Sequence, residues 1–394
     1  MSKKLFLSTY LLFFFAGVLL VALACQTKET KAETPGAENP QVKFTPSNNR
    51  EPVTIAAVGD IMLGSTSIND SFLPPDDGRD MLREATPILS RADIAFGNLE
   101  GPMLEGGTSA KCQSLSNQKN SNPSPTPTPP EKNSPKPVVR CFAFRVPTRY
   151  GKYLKDAGFD VLNLANNHAS DFGEMGRAST KKVLDDLGIK HSGSDKTDFA
   201  YLEVKGKKIA FVSFTHNNIS LNINDLETAR RVVAEQKKRA DLVIVSFHGG
   251  AEGANYQHVP YATEIFVGEQ RGNLRAFTHA VVDAGADLVL GHGPHVMRAM
   301  EIYKDRLIIY SMGNFATYGM FNLKGAQGLT EIVEITIDAD GKFLSGKINA
   351  GKQIGRGIPV LDKTNESARV VRQLSQADFP TTAPKIADDG TISK

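Results

Sequence analysis

The chain contains 394 residues, of which 40% are hydrophobic and 23% are charged, a composition typical of a soluble globular protein with one large or two small domains. Its 46 basic and 43 acidic residues leave a net charge of only +3. Because nucleic-acid-binding proteins usually carry a strongly basic face, this balance argues against nucleic acid as a partner.

Residues 1–24 are predicted to direct the chain across a membrane. Lys3 and Lys4 precede the uncharged run LFLSTYLLFFFAGVLLVALA, and Cys25 follows it directly. A short basic region, an apolar core and small residues at the end are typical of a secretory signal. A cysteine in this place resembles a bacterial lipoprotein signal, with Cys25 as the lipidated residue. An uncleaved anchor is the alternative, since about 20 apolar residues span a bilayer. Both interpretations place the remaining chain outside the cytoplasm, attached to a membrane.

Two polar segments are predicted to lie outside the packed core. Residues 25–52 are polar and contain proline, which is typical of a flexible tether. An insert at about residues 110–140 is rich in Ser, Pro, Asn and Thr, and such a composition cannot bury a core. Cys112 and Cys141 flank this insert. In an oxidising compartment their simplest use is a disulfide across its base, and two free thiols are the alternative.

Between residues 53 and 357, short apolar runs alternate with helix-like segments. The runs are VTIAAVGD, RADIAFGN, GFDVLNLAN, KIAFVSFTH, DLVIVSFHGG and ADLVLGHG, and each ends in polar or glycine residues. Amphipathic segments such as EMGRASTKKVLDDLG and NDLETARRVVAEQKKRA lie between several of them. This alternation indicates an α/β fold with mostly buried strands.

After Val296 the sequence predicts consecutive antiparallel strands and no further helix. HVMRAMEIYKDRLIIYSMGNF and LTEIVEITIDADGKFLSGKINA supply these strands, and Asp340-Gly341 is a suitable hairpin turn. Residues 358–394 are polar and weakly patterned, which predicts a loosely attached C-terminal tail.

Polar residues of one chemical kind follow the predicted strands. Ligand sites in α/β sheets form outside the carboxyl ends of the strands, so these residues are expected to converge. Asp, Glu, Asn and His are the donors that bind a divalent cation such as Zn, Mn or Fe. In chain order the candidates are Asp60, Asn98, Glu100, Asn166, Asn167, His168, Asp171, His248, Glu252, His292 and His295.

Each candidate alone also has an ordinary explanation. Asp60 could cap a helix, Asn167 could occupy a left-handed turn, and His248 could be a hydrogen-bonded core histidine. Because five separate strand ends carry ligand-type residues, a shared metal site is favoured over coincidence. Four other histidines are predicted to have structural roles: His191, His216, His258 and His279. Among them, His216 is the first candidate for a different role, because it lies at a predicted strand end.

Six motifs together resemble the CapA family of capsule and poly-γ-glutamate synthesis accessory proteins, whose domain is similar to calcineurin-like metallophosphoesterases. They occur in the expected order as VGDIMLG, GNLEGP, NLANNHASDFG, HGGAE, GHGPHV and YSMGNF. The resemblance covers about residues 53–357. It implies a four-layer α-β-β-α sandwich, in which two sheets pack face to face between helices and metals bind at one edge.

The resemblance also implies a role for each motif residue. His168 would be a general acid, and Asp171 would orient it and favour its charged form. Glu100, or less readily Asn98, would bridge two ions. The implied metal ligands are Asp60, Glu100, Asn167, His248, His292 and His295. The residues expected to support them are Asn98, Asn166 and Glu252, and Arg298 is expected to attract an anion.

The chain departs from the patterns of these families in four places. Met62 stands where a phosphoesterase histidine is usual, and GNLE replaces an aspartate that follows glycine. Two residues separate His292 from His295 where one is usual, and Gly249 replaces a tryptophan that CapA relatives often carry. The first three departures bear on whether two ions bind and whether phosphoesters are cleaved.

These observations favour two functions of different classes. The first is a membrane-tethered, extracytoplasmic hydrolase of a phosphoester or related bond that uses one or two Mn, Zn or Fe ions. The second is a non-catalytic factor for polymer assembly or export, which binds an anionic polymer or the subunits of a capsule-polymer synthase. The retained histidines and carboxylates favour the first, and Met62 favours the second. A lipoprotein with a purely structural metal is the remaining alternative.

Overall fold

The computed structural model of this protein describes residues 50–113 and 141–394. The predicted signal or anchor, Cys25, nearly all of the predicted tether and most of the insert therefore lie outside the described residues. Within the described ranges, no helix is both long enough and apolar enough to cross a bilayer.

Strands dominate the described chain. In chain order they are β1 (Val53–Met62), β2 (Ile94–Leu99), β3 (Val161–Asn163), β4 (Lys190–Ser192), β5 (Ala200–Val204), β6 (Lys207–Thr215), β7 (Leu221–Asn222), β8 (Leu242–His248), β9 (Glu264–Phe266), β10 (Glu269–Gly272), β11 (Leu288–His292), β12 (Met300–Tyr303), β13 (Arg306–Ile309), β14 (Asn314–Thr317), β15 (Leu329–Ile337), β16 (Phe343–Ile354), β17 (Ile358–Leu361), β18 (Lys385–Ile386) and β19 (Thr391–Ser393). The α-helices with fully described bounds are α1 (Thr86–Leu89), α2 (Gly151–Asp156), α3 (Gly173–Asp186), α4 (Leu226–Lys237), α5 (Leu274–Asp283) and α6 (Glu366–Asp378).

Most strands belong to two large sheets. The first has ten strands, with the order β18-β19-β16-β15-β1-β2-β3-β4, and β14 and β17 pair with β1 and β16. The second has seven strands, with the order β12-β13-β11-β8-β6-β5 and β7 beside β6. β1 to β4 are parallel neighbours in the first sheet, as are β6, β8, β11 and β13 in the second. The parallel centres of both sheets explain the continuous apolar runs of the sequence.

The two sheets pack face to face. Successive side chains of a strand point to opposite faces, and on β1 Ile55 belongs to a core cluster that also contains Phe211 of β6 and Ile244 of β8. The neighbouring Ala56 instead packs on the outer side of the first sheet, in a cluster that contains Leu184 of α3. On the outer side of the second sheet, residues of β6 and β8 pack against α4 and α5. The expected four-layer α-β-β-α sandwich is therefore confirmed.

The prediction of a loose C-terminal tail is wrong, as is the prediction that no helix follows Val296. Residues 358–394 form β17, α6, β18 and β19, and Ala368 and Val371 of α6 are buried in the core cluster between the sheets. In α6, Ala368, Val371 and Leu374 recur every three residues, so they form a narrow apolar stripe on a polar helix. The high polarity of the remaining positions hid that stripe in the sequence.

The prediction of consecutive antiparallel strands is correct for two pairs and wrong for the rest. β12 with β13 and β15 with β16 are antiparallel neighbours, and Gly341 adopts a positive φ of 78° in the turn of the second pair. β13 and β14, however, pair in parallel with β11 and β1, respectively. The chain between β13 and β14 passes from the second sheet to the first, and alternation alone could not reveal that crossing.

Glu331 on β15 is a carboxyl group in an unfavourable place. It is 1% exposed, it shares a face of β15 with the core residue Val333, and neither of its carboxyl oxygens has a hydrogen-bond partner among the described residues. Burial alone raises the pKa of Glu331 to about 8, because the charged form is poorly solvated there.

We expect Glu331→Gln to stabilise the protein in a pH-dependent way. The unfolded chain ionises this group as the pH rises above 4.5, whereas the folded chain keeps the proton until about pH 8. The group therefore costs little stability below pH 4.5 and progressively more up to pH 8. The gain from the substitution should be about 3 kcal/mol larger at pH 7.5 than at pH 5.

The measurement is denaturant unfolding at both pH values. The exposed Glu203 of β5 supplies the matched control, because Glu203→Gln should have a small effect at either pH. An equal gain in stability from Glu331→Gln at both pH values would contradict the raised pKa of Glu331.

Candidate metal centre

The ends of strands from both sheets meet at one edge of the sandwich. Asp60 lies near the end of β1, and Glu100 directly follows β2, in the first sheet. His248 ends β8 and His292 ends β11 in the second sheet. Oδ1 of Asp60 is only 3.6 Å from Nδ1 of His292. The sequence-based expectation that these side chains converge therefore matches their geometry.

The crossing between β13 and β14 holds these ends together through the backbone. The amide of Met312 donates to the carbonyl of Gly291 in the second sheet (3.1 Å), and the amide of Asp60 donates to the carbonyl of Gly313 (2.9 Å). A Cβ atom on Gly59 would lie 1.9 Å from the carbonyl oxygen of Gly313, and one on Gly291 would lie 2.4 Å from that of Tyr310. Glycine at these two positions permits the close approach.

Three buried residues form the centre of the site. Asp60, Glu100 and His295 each offer an atom within 4.8 Å of the others. Nδ1 of His295 is 3.0 Å from Oδ2 of Asp60, and its Nε2 is 3.7 Å from Oε1 of Glu100. Nε2 of His248 lies 4.0 Å from the same Glu100 oxygen. Five of the six residues predicted to bind metal thus lie in one cluster.

Several donor atoms here are buried and have no hydrogen-bond partner within the described parts of the chain. They are both carboxyl oxygens of Glu100, Nε2 of His248, both ring nitrogens of His292 and Oδ1 of Asn167. Unpaired buried polar atoms are costly, and carboxylate, imidazole and amide oxygen are ligands of Zn, Mn and Fe. The donor set therefore fits a divalent cation. Asn167 follows β3, on the loop beside this cluster.

Burial and charge act against each other at these groups. The pKa of Asp60 is lowered, because contacts with His292 and His295 outweigh the effect of burial. Burial raises the pKa of Glu100 and lowers that of His248. Burial also opposes a charge on His295, but Glu100 and Asp60 raise the pKa of that histidine to about 10. His248 is consequently neutral, which is the form of imidazole that binds a metal.

Asn98 supports Asp60 and is not placed to bridge ions. Its Nδ2 donates to Oδ1 of Asp60 (2.8 Å), and its Oδ1 accepts from Nδ2 of Asn163 (2.8 Å) and of Asn166 (3.1 Å). Its amide oxygen is therefore already bonded twice, which leaves Glu100 as the candidate bridging residue. Asn163 was not predicted from the sequence, although it lies in the same motif as Asn166.

Asn314, at the start of β14, is a second residue that sequence reasoning missed. Its Oδ1 lies 3.1 Å from Nδ1 of His295, so it orients one of the predicted ligands. His295 adopts a positive φ of 57°. Asn314 belongs to the motif YSMGNF, so the sequence did contain a signal that could have identified it as a residue of the site.

His168 and Asp171 form a pair, as the sequence analysis expected, and Asp171 favours the charged form of His168, although burial outweighs that effect. Nδ1 of His168 is 2.7 Å from Oδ2 of Asp171, and the His168 ring stacks on Phe144 at a centroid distance of 4.0 Å. Burial lowers the pKa of His168 despite the attraction of Asp171, and nearby Lys111 opposes the charge as well. The neutral form is therefore favoured.

Glu252 and Arg298 have other partners than the sequence analysis expected. Glu252 does not support His248: its Oε1 is 2.8 Å from Nη1 of Arg271, and its Oε2 lies 4.0 Å from Nε2 of His295. Arg298 is fully buried, and both of its terminal nitrogens bond to Glu264 at 2.8 Å. Its charge is thus neutralised within the protein, so the prediction that Arg298 attracts an anion is wrong.

The other histidines are held by carboxylates. His216 lies close to the site, with Nδ1 3.4 Å from the carbonyl of His248 and Nε2 3.3 Å from Glu269, and burial lowers its pKa to about 4. Three more pair with an aspartate or glutamate away from the centre: His191 with Asp198, His258 with Asp378 and His279 with Glu301.

Two of the departures from the family patterns, Met62 and Gly249, have structural consequences. Met62 is fully buried in the outer core of the first sheet, so no ligand is offered from that position. The backbones of Gly249 and Gly293 lie close together: a Cβ on Gly293 would be only 2.7 Å from the carbonyl oxygen of Gly249. A Cβ on Gly249 itself would lie 2.4 Å from Cδ1 of Ile223 and 2.9 Å from the carbonyl oxygen of Arg271, so a tryptophan there would require these neighbours to shift.

Comparison with known proteins identifies relatives over most of the chain. The family model described as bacterial capsule synthesis protein PGA_cap matches residues 54–318. The chain is 29% identical over 384 residues to the capsule biosynthesis protein CapA of Bacillus anthracis, which covers 92% of this chain and 79% of that protein. It is 30% identical over 295 residues to the PGA biosynthesis protein CapA of Bacillus subtilis strain 168, which covers 71% of this chain and 66% of that protein. A probable polyglutamine synthesis accessory protein of Mycobacterium tuberculosis is 27% identical over 316 residues, or 68% of this chain and 75% of that protein.

Two solved structures are more distantly similar. A hypothetical protein from Thermus thermophilus has a TM-score of 0.42 and 16% identity, over 78% of this chain and 98% of that chain. A purple acid phosphatase from yellow lupin has a TM-score of 0.35 and 9% identity, over 85% and 57%. Neither likeness is close enough to support an argument about function.

We expect Asn98→Ala to weaken metal binding without removing a ligand. The substitution deletes the hydrogen bond that orients Asp60, and loss of such a support typically costs about 10-fold to 100-fold in metal affinity. Calorimetric titration of the metal-free protein with Mn²⁺ measures the effect. Asn349, whose side chain bonds to Glu334 on β15, provides the control: Asn349→Ala should leave Mn²⁺ affinity unchanged. Equal affinity of Asn98→Ala and the unchanged protein would contradict the role given to Asn98.

Proposed function

The chain belongs to the bacterial capsule synthesis protein family PGA_cap, and we propose that it is an extracytoplasmic accessory protein in the synthesis of a capsule polymer. The relatives from Bacillus are named for capsule and PGA biosynthesis, which supports poly-γ-glutamate as the polymer. The basic and apolar start of the sequence supports attachment to a membrane by a lipid on Cys25 or by an anchor. The proposed partners are the subunits of a membrane-bound synthase that makes the capsule polymer.

The proposed reaction is metal-dependent hydrolysis of a phosphoester or a related bond. One observation carries this proposal: around Asp60 and His295, buried donor atoms of Glu100, His248 and His292, from both sheets, have no hydrogen-bond partner among the described residues. When bound, one or two Mn, Zn or Fe ions would lower the pKa of a water molecule and stabilise negative charge on a substrate oxygen.

The chain's own residues would hold this centre and move protons. Asn98 orients Asp60, and Asn314 orients His295. Because the carboxylate of Asp171 can only accept, Nδ1 of His168 carries the proton between them. Nε2 of His168 is then the atom that exchanges a proton with the leaving group, as in general acid–base catalysis. Because neutral His168 carries no proton on Nε2, it would first take one from the attacking water and then donate it to the leaving group.

A non-catalytic role in polymer assembly or export is the second candidate. The observation that favours it is the burial of Met62, which leaves the position of a usual phosphoesterase histidine without a ligand. A single bound ion could then fix the rim of the sandwich or contact an anionic polymer without cleaving it. Metal binding is common to both candidates, whereas turnover separates them.

We expect His168→Ala to lower turnover about 100-fold or more while leaving metal binding intact. The experiment measures hydrolysis of an aryl phosphate by the Mn²⁺-loaded protein, with the metal content determined in parallel. Loss of a general acid typically lowers kcat by about 100-fold or more. His279→Ala is the control, because His279 bonds to Glu301 away from the centre. Bound metal without turnover in the unchanged protein would instead support the non-catalytic factor.

The two modes of membrane attachment predict different results for Cys25→Ser. If Cys25 is lipidated, as we propose, the variant should lose incorporation of labelled fatty acid and the processing that accompanies it. With an uncleaved anchor, both proteins would stay in the membrane fraction and would differ in mass only by the Cys25→Ser substitution itself. Fatty-acid labelling and mass spectrometry of the membrane fraction distinguish these results, and unchanged labelling of other lipoproteins in the same cells is the control.

A further inference from the structure

The base of the insert contacts the His168–Asp171 pair from its first stem, residues 109–112. Oγ of Ser109 and the amide of Lys111 both donate to the carbonyl of Asp171, at 2.9 and 3.3 Å. Nζ of Lys111 lies 3.3 Å from Oδ1 of Asp171 and 3.3 Å from Nδ1 of His168. This lysine therefore contacts both members of the pair.

The second stem, residues 141–144, contacts the same pair from another direction. The amide of Phe144 donates to Oδ2 of Asp171 at 2.7 Å, and the Phe144 ring stacks on the ring of His168. Phe144 in turn packs on Phe321 at a centroid distance of 5.1 Å, and Phe321 lies 5.1 Å from the ring of His295. The second stem thus joins the proton-transfer pair to the metal centre.

A disulfide joins the two stems at this point. Cys112 directly follows Lys111, Cys141 precedes Phe144 by three positions, and the two cysteines, 29 positions apart, are bonded to each other. Cys112 also packs against a small cluster of buried residues that contains Ala143 of the other stem. The bond therefore joins the two segments that place Lys111 and Phe144 in contact with His168.

We propose that the disulfide-joined base of the insert is a positioning element of the site, which holds His168 in place through Lys111 on one stem and Phe144 on the other. A bond that served only to close a surface loop would have no need of contacts with this pair. Here both stems bond to Asp171, and both contact the His168 ring. The expected effect on turnover rests on the proposed function, whereas the positioning of His168 does not.

The test measures the rate at which diethyl pyrocarbonate modifies His168 in the full chain, with His279 as the internal reference. The side chain of His168 is only 8% exposed, whereas that of His279 is 35% exposed. The double variant Cys112→Ser/Cys141→Ser should raise the rate at His168 about tenfold, because local opening of the stems becomes easier. The rate at His279 should stay unchanged.

Lys111→Ala keeps the disulfide and tests the same contact without risk to the bond. It should also raise the modification rate of His168, whereas Lys111→Arg should restore a rate near that of the unchanged protein. Lys152→Ala is the matched control, because Lys152 pairs with Asp156 on α2, away from the stems. If both the double variant and Lys111→Ala leave the rate at His168 unchanged, the proposal is wrong. If the double variant raises the modification rates of His168 and His279 alike, it has lost its fold. The effect of Lys111→Ala on the rate at His168 then decides whether the proposal holds.

Turnover provides a second and separate reading. If the protein hydrolyses an aryl phosphate, Lys111→Ala should lower kcat about 10-fold to 100-fold with little change in KM, because a misplaced catalytic group affects the chemical step more than binding. An unchanged kcat beside a raised modification rate would overturn the link to catalysis. If no variant and not even the unchanged protein turns over, the proposed hydrolase fails, and the modification rates still decide the positioning of His168.

Discussion

Backbone contact between the ends of the two sheets is the constraint on which the site depends. The segment that crosses from β13 to β14 bonds to Gly291 of one sheet and to Asp60 of the other. The two sheets would otherwise be separated by a layer of side chains about 10 Å thick. At this edge the layer is reduced to backbone, because Gly59 and Gly291 carry no Cβ. Asp60 and His292 can therefore meet although they are 232 positions apart in the sequence.

Charge is balanced at this edge by neighbours from the opposite sheet. Asp60 contacts His292 and His295, and His295 lies between Asp60 and Glu100. Burial of any one of these charged groups alone would cost much free energy, and removal of one partner leaves the charge of the other uncompensated. The amides of Asn98 and Asn314 add hydrogen bonds that fix the orientation of the charged groups. The remaining donor atoms, on Glu100, His248 and His292, are buried in the same cluster and have no hydrogen-bond partner among the described residues.

The sequence predicted the strands and the convergence of their ends, because apolar runs and strand-end residues have local patterns. Asp60, Glu100, His248, His292 and His295 could be named in this way, and the four-layer arrangement followed from the family resemblance. Properties that depend on distant partners could not be predicted. Arg298 is neutralised by Glu264, 34 positions earlier, and the charge state of His168 depends on burial, which no motif records. The helix α6 was missed because its apolar stripe is narrow.

The C-terminal segment also protects a sheet edge. The outer side of the long strand β16 pairs with β17 over Gly351–Ile354 and with β19 at Gly346 and Lys347. Beyond β19 the sheet ends in the two-residue strand β18. An open strand of twelve residues would present a row of free amides and carbonyls to a second molecule, whereas a very short final strand offers little template for such pairing. The short strand β18 therefore leaves little open edge on this side of the sheet for pairing between copies of the chain.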